Sequence, residues 1–197
     1  LTPPQGTHVL TAVAVDHKRS STTSAAAHLV VAPATAPGGQ TTVPLQRGQG
    51  NAVVADTYIS SYHKTLNFGA TTQVLERNTF YAPLVRFAIF QSEGGPVPNG
   101  AHIVSATLSV YKYSSYDMAY GLSRVLNDWS EQTATWNLRK TGVAWTTPGA
   151  ASLGQDVAPS TDATGSAGFK PGWINFDLTA STQQMSLAAP LVNYGWR

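Results

Sequence analysis

The feature that most constrains the fold of this chain is a series of short apolar segments, each bounded by turn-forming residues. Segments rich in β-branched and aromatic residues and bounded by Gly, Pro, Asn or Ser are typical of β-strands. One window, residues 179–189, has instead a helical pattern that Thr179 caps and Pro190 ends. The series predicts an all-β fold, a β-sandwich or jelly-roll-like module. The predicted strands are residues 52–60, 73–77, 84–90, 103–113, 122–126 and 173–178.

The fourth of these segments indicates which side of its strand is buried. Ala106, Leu108 and Val110 alternate with polar and aromatic residues. Because successive side chains of a strand point to opposite faces, this period indicates one buried apolar face and one exposed face. Tyr111 and Tyr113 both follow the apolar run. They share the second face, and we expect both rings to be exposed.

A linker separates the N-terminal part of the chain from these segments. Residues 8–15 and 27–32 predict the two strands of a β-hairpin, which must pack on something because an isolated hairpin is marginally stable in water. Residues 34–50 have the Pro and Gly content of a linker. We therefore expect three parts: terminal strands over residues 1–33, the linker, and a β-sandwich over residues 51–197.

Composition and charge exclude several classes of protein. The chain has no Cys, so it has neither a disulfide framework nor a Cys-ligated zinc. Its net charge is +2, and its 12 Lys and Arg residues are scattered, unlike the basic stripe of a nucleic-acid-binding protein. No apolar run reaches the ~18–20 residues of a membrane-spanning helix. Charged residues make up 11%, against about 25% in an average domain, and this composition favours a secreted or cell-surface protein.

The residues that could support catalysis lack the spacing that catalysis needs. The 5 His residues lie far apart, without the HExxH spacing of a zinc site. No Gly-x-Ser-x-Gly elbow is present to expose a nucleophilic serine. Asp128 and Glu131 are the most suggestive pair of carboxylates, but they flank Trp129 and are interpreted as fixing a loop around a buried indole. We therefore predict that no residue is catalytic.

Several ordered segments carry a resemblance to a known family. In their order along the chain they resemble the DNRLRE family, also called disaggregatase-related repeats, which is classed among carbohydrate-binding modules. Residues 6–16 are similar to the closing strands of bacterial immunoglobulin-like repeats. The segments that resemble the first family are Ala-Asp-Thr-Tyr-Ile at 55–59, Asn-Phe-Gly at 67–69, Leu-Val-Arg-Phe at 84–87, Ile-Val-Ser-Ala-Thr-Leu at 103–108, Trp-Ser-Glu at 129–131, Thr-Trp-Asn at 135–137 and Asn-Tyr-Gly at 193–195.

The resemblance implies a non-catalytic β-sandwich attached to secreted polysaccharide-degrading enzymes or adhesins. Acidic glycans of the alginate type are among the ligands that the resemblance implies. The expected partner is therefore an extracellular polysaccharide that is acidic or comes from plants or algae. Members of the family continue past Asn-Tyr-Gly into a closing strand, which the resemblance implies is missing here. Two interpretations remain open: a trimmed fragment of a larger protein, or a chain that neighbouring copies complete.

Aromatic rings and cations are the side chains that a sugar-binding surface needs. Aromatic faces stack on the apolar C–H faces of pyranose rings, and Arg can grip a sugar carboxylate with two hydrogen bonds. Lys112, between the two exposed tyrosines, is expected to point into the core. Arg86 either pairs with a buried acid such as Asp128 or Glu131 or lies on the binding face. The candidate ligand-binding residues are Tyr111, Tyr113, Tyr116, Arg86, Arg139, Lys140 and Trp145.

Two further hypotheses come from the same sequence. Asp56 and Asn67 lie near predicted strand ends, where their oxygens would suit a structural calcium ion; no other cofactor is expected. The alternative function is structural, with the N-terminal strands adding to an open sheet edge of the next copy to build an extracellular fibre or adhesin. Such a chain would not stay monomeric in dilute solution.

Overall fold

A computed structural model describes residues 39–77, 79–187 and 192–197 in full and, before residue 39, the backbone of four short strands. The chain divides into two compact units, Leu1–Thr42 and Val43–Arg197. In the first, Gly6–Leu10 (β1) pairs antiparallel with Ala27–Val31 (β4). Val13–Val15 (β2) pairs antiparallel with Ser21–Thr23 (β3). The hairpin pairing expected for this unit is present in both strand pairs, and the first predicted strand is divided into β1 and β2.

The second unit is built from short antiparallel strands and one helix. The antiparallel pairs are β5 with β6, β7 with β12, β8 with β11 and β9 with β10. The predicted all-β class is confirmed. The elements are Val54–Ser60 (β5), Tyr81–Phe87 (β6), Thr107–Lys112 (β7), Tyr120–Leu122 (β8), Leu138–Lys140 (β9), Val143–Ala144 (β10), Ala163–Gly165 (β11), Gly172–Asp177 (β12) and Thr179–Leu187 (α1).

The predicted helix is present as α1, but its capping contact and one predicted strand differ from expectation. At the start of α1 a carboxylate oxygen of Asp177 accepts the Thr179 N–H at 2.9 Å, while the Thr179 hydroxyl accepts the Ala106 N–H at 3.0 Å. Asp177 therefore satisfies the first N–H of the helix, and Thr179 fastens the helix to Ala106, the residue before β7. Residues 73–77, expected to be a strand, contribute only a single bridge between Arg77 and Tyr81. In the described part of the chain no helix has the length and apolarity to cross a membrane.

The last residues of the chain occupy a central position in a sheet. The Trp196 N–H and C=O exchange hydrogen bonds of 2.8 and 2.9 Å with Val85 of β6. On the other side, Arg197 exchanges bonds of 2.9 and 3.0 Å with Ser123. Gly195 makes this approach possible: it has a φ of 79°, and a Cβ added there would overlap the Val85 carbonyl oxygen. Residues 195–197 thus lie between β6 and residues 123–125 and pair with both.

The two faces of this sheet are covered by different layers. On one face, Ala82 and Leu84 pack against loops between residues 126 and 158 in what we call the loop-layer core. On the other face, Val85 and Phe87 pack against β7, β12 and α1 in the inter-sheet core. The arrangement is a β-sandwich with an added layer of loops. The buried members are Ile59, Ala82, Leu84, Val125, Trp129, Ala134, Trp145, Ala150 and Val157 in the loop-layer core, and Phe90, Leu108, Ile174, Phe176, Leu178, Met185 and Trp196 in the inter-sheet core.

Candidate functional site

The outer face of the β7–β12 pair carries three exposed aromatic rings. Tyr111 and Trp173 are direct cross-strand partners. Their ring centroids lie 5.3 Å apart with planes at 77°, and Tyr113 lies 5.1 Å from Tyr111 at 71°. The exposed fractions are 43% for Tyr111, 63% for Trp173 and 70% for Tyr113. We call these three residues the aromatic platform.

The rings face solvent because the opposite face of the same strands is committed to the core. Leu108 of β7 and Ile174 and Phe176 of β12 are buried members of the inter-sheet core. Alternation along each strand then turns Tyr111 and Trp173 outward. The exposed orientation predicted for the two tyrosines is confirmed.

Polar side chains continue the same face toward the C-terminal end of β12. The Ser109 hydroxyl donates to the Asn175 amide oxygen at 2.7 Å, and the Asn175 amino group has no acceptor among the described residues. Asp177 follows on this face, and its pKa is lowered by hydrogen bonds from the Thr179 hydroxyl and backbone N–H. The face therefore offers an amide donor beside the rings and a carboxylate that stays charged at one end.

Lys112 is a buried cation that fastens the two loops beside the platform. Its ammonium group donates to the Tyr116 carbonyl oxygen at 2.7 Å and also to the Gly168 carbonyl oxygen. The inward direction predicted for Lys112 is confirmed, since the side chain lies beneath the outer face. The first loop presents Tyr116 and the second presents Phe169, both largely exposed. One ammonium group thus holds two aromatic loops at the same end of the β7–β12 pair.

Replacing Lys112 with methionine is expected to loosen both loops while keeping most of the buried stem. The Tyr116 and Gly168 carbonyls lose a charged donor, so the free energy of unfolding should fall by about 1–3 kcal/mol. Urea denaturation measures this loss, and hydrogen exchange of residues 113–119 and 166–171 should rise more than exchange in β5 and β6. Equal exchange in the two regions would show that Lys112 does not order the loops.

Arg86 lies away from the platform. It is half-buried on the β6 face that also carries Ala82 and Leu84, and it lines a cleft of about 130 Å³ beside Val53 and Glu93. The structure contradicts the expected pairing of Arg86 with Asp128 or Glu131, because those acids bind other cations. The arginine forms no hydrogen bond or ion pair with residues that the structure describes.

Arg139, Lys140 and Trp145 belong to the loop layer rather than to an exposed site. Asp128 accepts hydrogen bonds from both Arg139 and Lys140, so these cations fix the loop. Trp145 is only 3% exposed, and its indole N–H donates to the Thr135 carbonyl oxygen at 3.1 Å. The expectation that these three residues contact a ligand stays a prediction, which the burial of Trp145 and the ion pairs of both cations with Asp128 do not favour.

The carboxylates around Trp129 have structural partners, as the loop-fixing interpretation expects. Trp129 is buried, and its indole N–H donates to the Tyr194 carbonyl oxygen at 2.8 Å. Glu131 accepts the Asp56 backbone N–H at 3.1 Å and binds Arg47. Arg47 also binds the Asp56 carboxylate. These contacts tie the segment before β5 to the loop layer.

The two residues expected to hold calcium are also engaged. Asp56 pairs with Arg47, and the Asn67 amide donates to the Glu131 and Ala134 carbonyl oxygens at 2.7 and 2.8 Å. The Asn67 side-chain oxygen accepts the Gly69 N–H at 3.1 Å. Among the described residues, no group of three or more His, Asp or Glu side chains gathers to hold a metal ion. The calcium hypothesis stays a prediction that these contacts do not favour.

Trp173 is the member of the aromatic platform that sequence reasoning left without a role. Residues 173–178 were expected to form a strand, and Trp173, Asn175 and Asp177 alternate in it with apolar residues. That alternation is the signal that could have assigned the indole to the exposed face. Its pairing with Tyr111 depends on the register between two strands whose paired residues, 111 and 173, are 62 positions apart in sequence. The pattern of either strand alone does not give this register.

Comparison with known proteins assigns the chain to a family. A profile described as carbohydrate-binding module family 96 matches residues 49–190, which is more than half of the chain and most of the second unit. Searches of curated proteins and of solved structures returned no significant match. The matched region includes every strand from β5 to β12 and therefore the whole aromatic platform. The chain belongs to carbohydrate-binding module family 96.

Proposed function

We propose that Val43–Arg197 binds an extracellular polysaccharide on the aromatic platform and does not cleave it. The observation that carries the proposal is the cluster of three exposed rings on one antiparallel strand pair, within a chain of a carbohydrate-binding family. Soluble proteins rarely expose contiguous aromatic surface without a partner for it. The ring faces of Tyr111 and Trp173 match the apolar faces of pyranose units.

The shape of the surface favours a long chain over a small molecule. Ligand pockets for small molecules usually enclose about 300–1,000 Å³ and bury most of the ligand. The cleft at Arg86 has only about 130 Å³, well below that range. The platform is instead an open face, along which several sugar units of one polymer can lie. Asn175, at its edge, can donate to a sugar hydroxyl.

The charges around the platform favour one direction for an acidic sugar chain. Lys170 lies exposed in the loop before β12 and has no ion-pair partner among the described residues. Asp177, at the opposite end of β12, keeps its negative charge. Lys170 therefore offers a uronate carboxylate a cation at one end, where Asp117 is also exposed and binds Ser166. Asp177 repels the carboxylate from the other end. This asymmetry supports the finer proposal that the polymer is acidic, of the alginate or pectin type.

Membership in the family and the site geometry together favour binding without catalysis. The carboxylates nearest to a paired arrangement, Asp128 and Glu131, are tied to cations and backbone groups in the loop layer. They lie on the other side of the β5–β6 sheet from the platform. We also propose secretion to the cell exterior, where polysaccharides of this kind are found. Further proposals, which rest on the sequence alone, are the DNRLRE assignment and the immunoglobulin-like nature of the N-terminal strands.

Affinity electrophoresis tests the proposed function directly. The full chain is run through native gels that contain alginate, polygalacturonate, xylan or β-glucan, with and without Ca²⁺. We expect slowed migration in at least one polymer, strongest in an acidic one. Unchanged migration in all four polymers would overturn the binding function. It would turn attention to the fibre hypothesis, for which measurement of the subunit mass in dilute solution is the direct check.

A further inference from the structure

A second aromatic cluster surrounds the connection between β5 and β6. The rings of Tyr62 and Phe80 are stacked, with centroids 4.9 Å apart and planes at 12°. Tyr81, the first residue of β6, contacts Tyr62 at 5.8 Å. Tyr62 is 55% exposed, so a large part of its ring is open to solvent. The stack holds Tyr62 in one orientation, as a sugar-stacking ring requires.

Two exposed cations, Arg77 and Lys64, lie in the same connection as this cluster. The Arg77 guanidinium carbon lies 5.5 Å from the centroid of the Phe80 ring, a cation–π distance. The Arg77 side chain is exposed and has no carboxylate partner among the described ion pairs. A planar guanidinium beside a stacked ring can bind a carboxylate while a sugar lies on the ring.

Strand register places this cluster at the same end of the sandwich as the platform loops. Trp196 pairs on one side with Val85 and on the other with Arg124. Four residues earlier on each strand are Tyr81 and Tyr120, which therefore lie at one level, two strand spacings or about 10 Å apart. Tyr120 directly follows the loop of residues 113–119.

A second observation agrees with this placement. Arg77 pairs with Tyr81 through backbone hydrogen bonds of 3.3 and 3.4 Å, so residues 76 and 77 lie on the edge that faces Tyr120. The pKa of Tyr120 is raised, first by burial and then by the charge of Glu76. Ser114, in the platform loop, hydrogen-bonds to the same Tyr120 side chain. The two regions therefore meet at Tyr120.

We propose that Tyr62, Phe80 and Arg77 form a second sugar subsite, which binds a carboxylate-bearing unit of the polysaccharide chain that also contacts the aromatic platform. This inference rests on the proposed function and adds a subsite, a residue for charge recognition and a path for the chain. Tyr62 supplies the stacking face and Arg77 the carboxylate contact. Two subsites on one compact unit raise the affinity for a long chain without either being tight alone.

Ester derivatives of the polymers isolate the carboxylate contact. Binding is measured with polygalacturonate and its methyl ester, and with alginate and its propylene-glycol ester, because esterification removes the charge and keeps the sugar backbone. For Arg77→Gln we expect about tenfold weaker binding to the charged polymer, as for loss of a charge-assisted hydrogen bond, and less than a twofold change on the ester. Tyr62→Leu keeps the apolar contact with Phe80 and should weaken binding to both forms.

Arg47→Gln is the control. It removes an exposed arginine that binds Asp56 and Glu131 in the loop layer, away from both subsites, and should leave binding unchanged. Melting temperatures of all three variants check that each one is folded. Binding of the charged polymer by Arg77→Gln and Tyr62→Leu within twofold of wild type would overturn the subsite and leave the proposed function intact. Wild-type binding to neutral polymers alone would do the same, whereas no wild-type binding to any polymer would defeat both proposals.

Discussion

Replacing Trp173 with alanine is expected to weaken binding of the polysaccharide by about 30-fold, which corresponds to about 2 kcal/mol. The indole is the largest ring of the platform and is directly paired with Tyr111. Its removal deletes a stacking face and also the edge contact that orients Tyr111. Addition of Tyr111→Ala to this variant should reduce the retardation in native gels to background.

The design of this experiment separates loss of the site from loss of the fold. Trp173 is 63% exposed, so its removal should change the melting temperature little. Leu153→Ala is a suitable control, because Leu153 is equally exposed and lies in the loop layer. Trp173→Phe should retain a substantial part of the affinity, since a flat ring remains. If Trp173→Ala bound as tightly as wild type, the platform would not be the binding surface.

The part of this site that the sequence predicts is the part governed by local periodicity. Alternation along β7 correctly assigned Tyr111 and Tyr113 to the exposed face and Lys112 to the interior. The partners of these residues come from β12 and from a loop near residue 168, which are distant in sequence. Cross-strand register is set by the packing of the whole sandwich, so the pairing of Tyr111 with Trp173 required the structure.

The loop layer explains why the sequence alone does not indicate the partners of Arg139, Lys140 and Trp145. Trp145 and the Arg139–Lys140 pair lie among turn-forming residues, which normally indicates an exposed loop. Here residues 126–158 fold over one face of the β5–β6 sheet and bury Trp145. Irregular segments have no period that indicates a buried side, and their polar groups are satisfied by specific partners such as Asp128. Such partners become visible only in three dimensions.

Replacing Trp196 with alanine is expected to produce the largest loss of stability. Trp196 is 2% exposed, belongs to the inter-sheet core and lies in the backbone position between β6 and residues 123–125. Removal of a buried indole typically costs about 3–5 kcal/mol. Its N–H also donates to Asp162 at 3.0 Å, so that carboxylate loses a donor. A melting temperature lower by roughly 10 °C should accompany the loss for a unit of this size.

Two variants make the stability result specific. Trp196→Phe keeps much of the apolar volume but not the hydrogen bond to Asp162, so we expect about half of the alanine cost. Trp173→Ala is the matched replacement of an exposed indole, and urea unfolding should show almost no change for it. Since one tryptophan faces solvent and the other the core, Trp173→Ala should lose binding and keep the fold, and Trp196→Ala should lose the fold first. Equal stability of the two alanine variants would contradict the central position of residues 195–197 in the sheet.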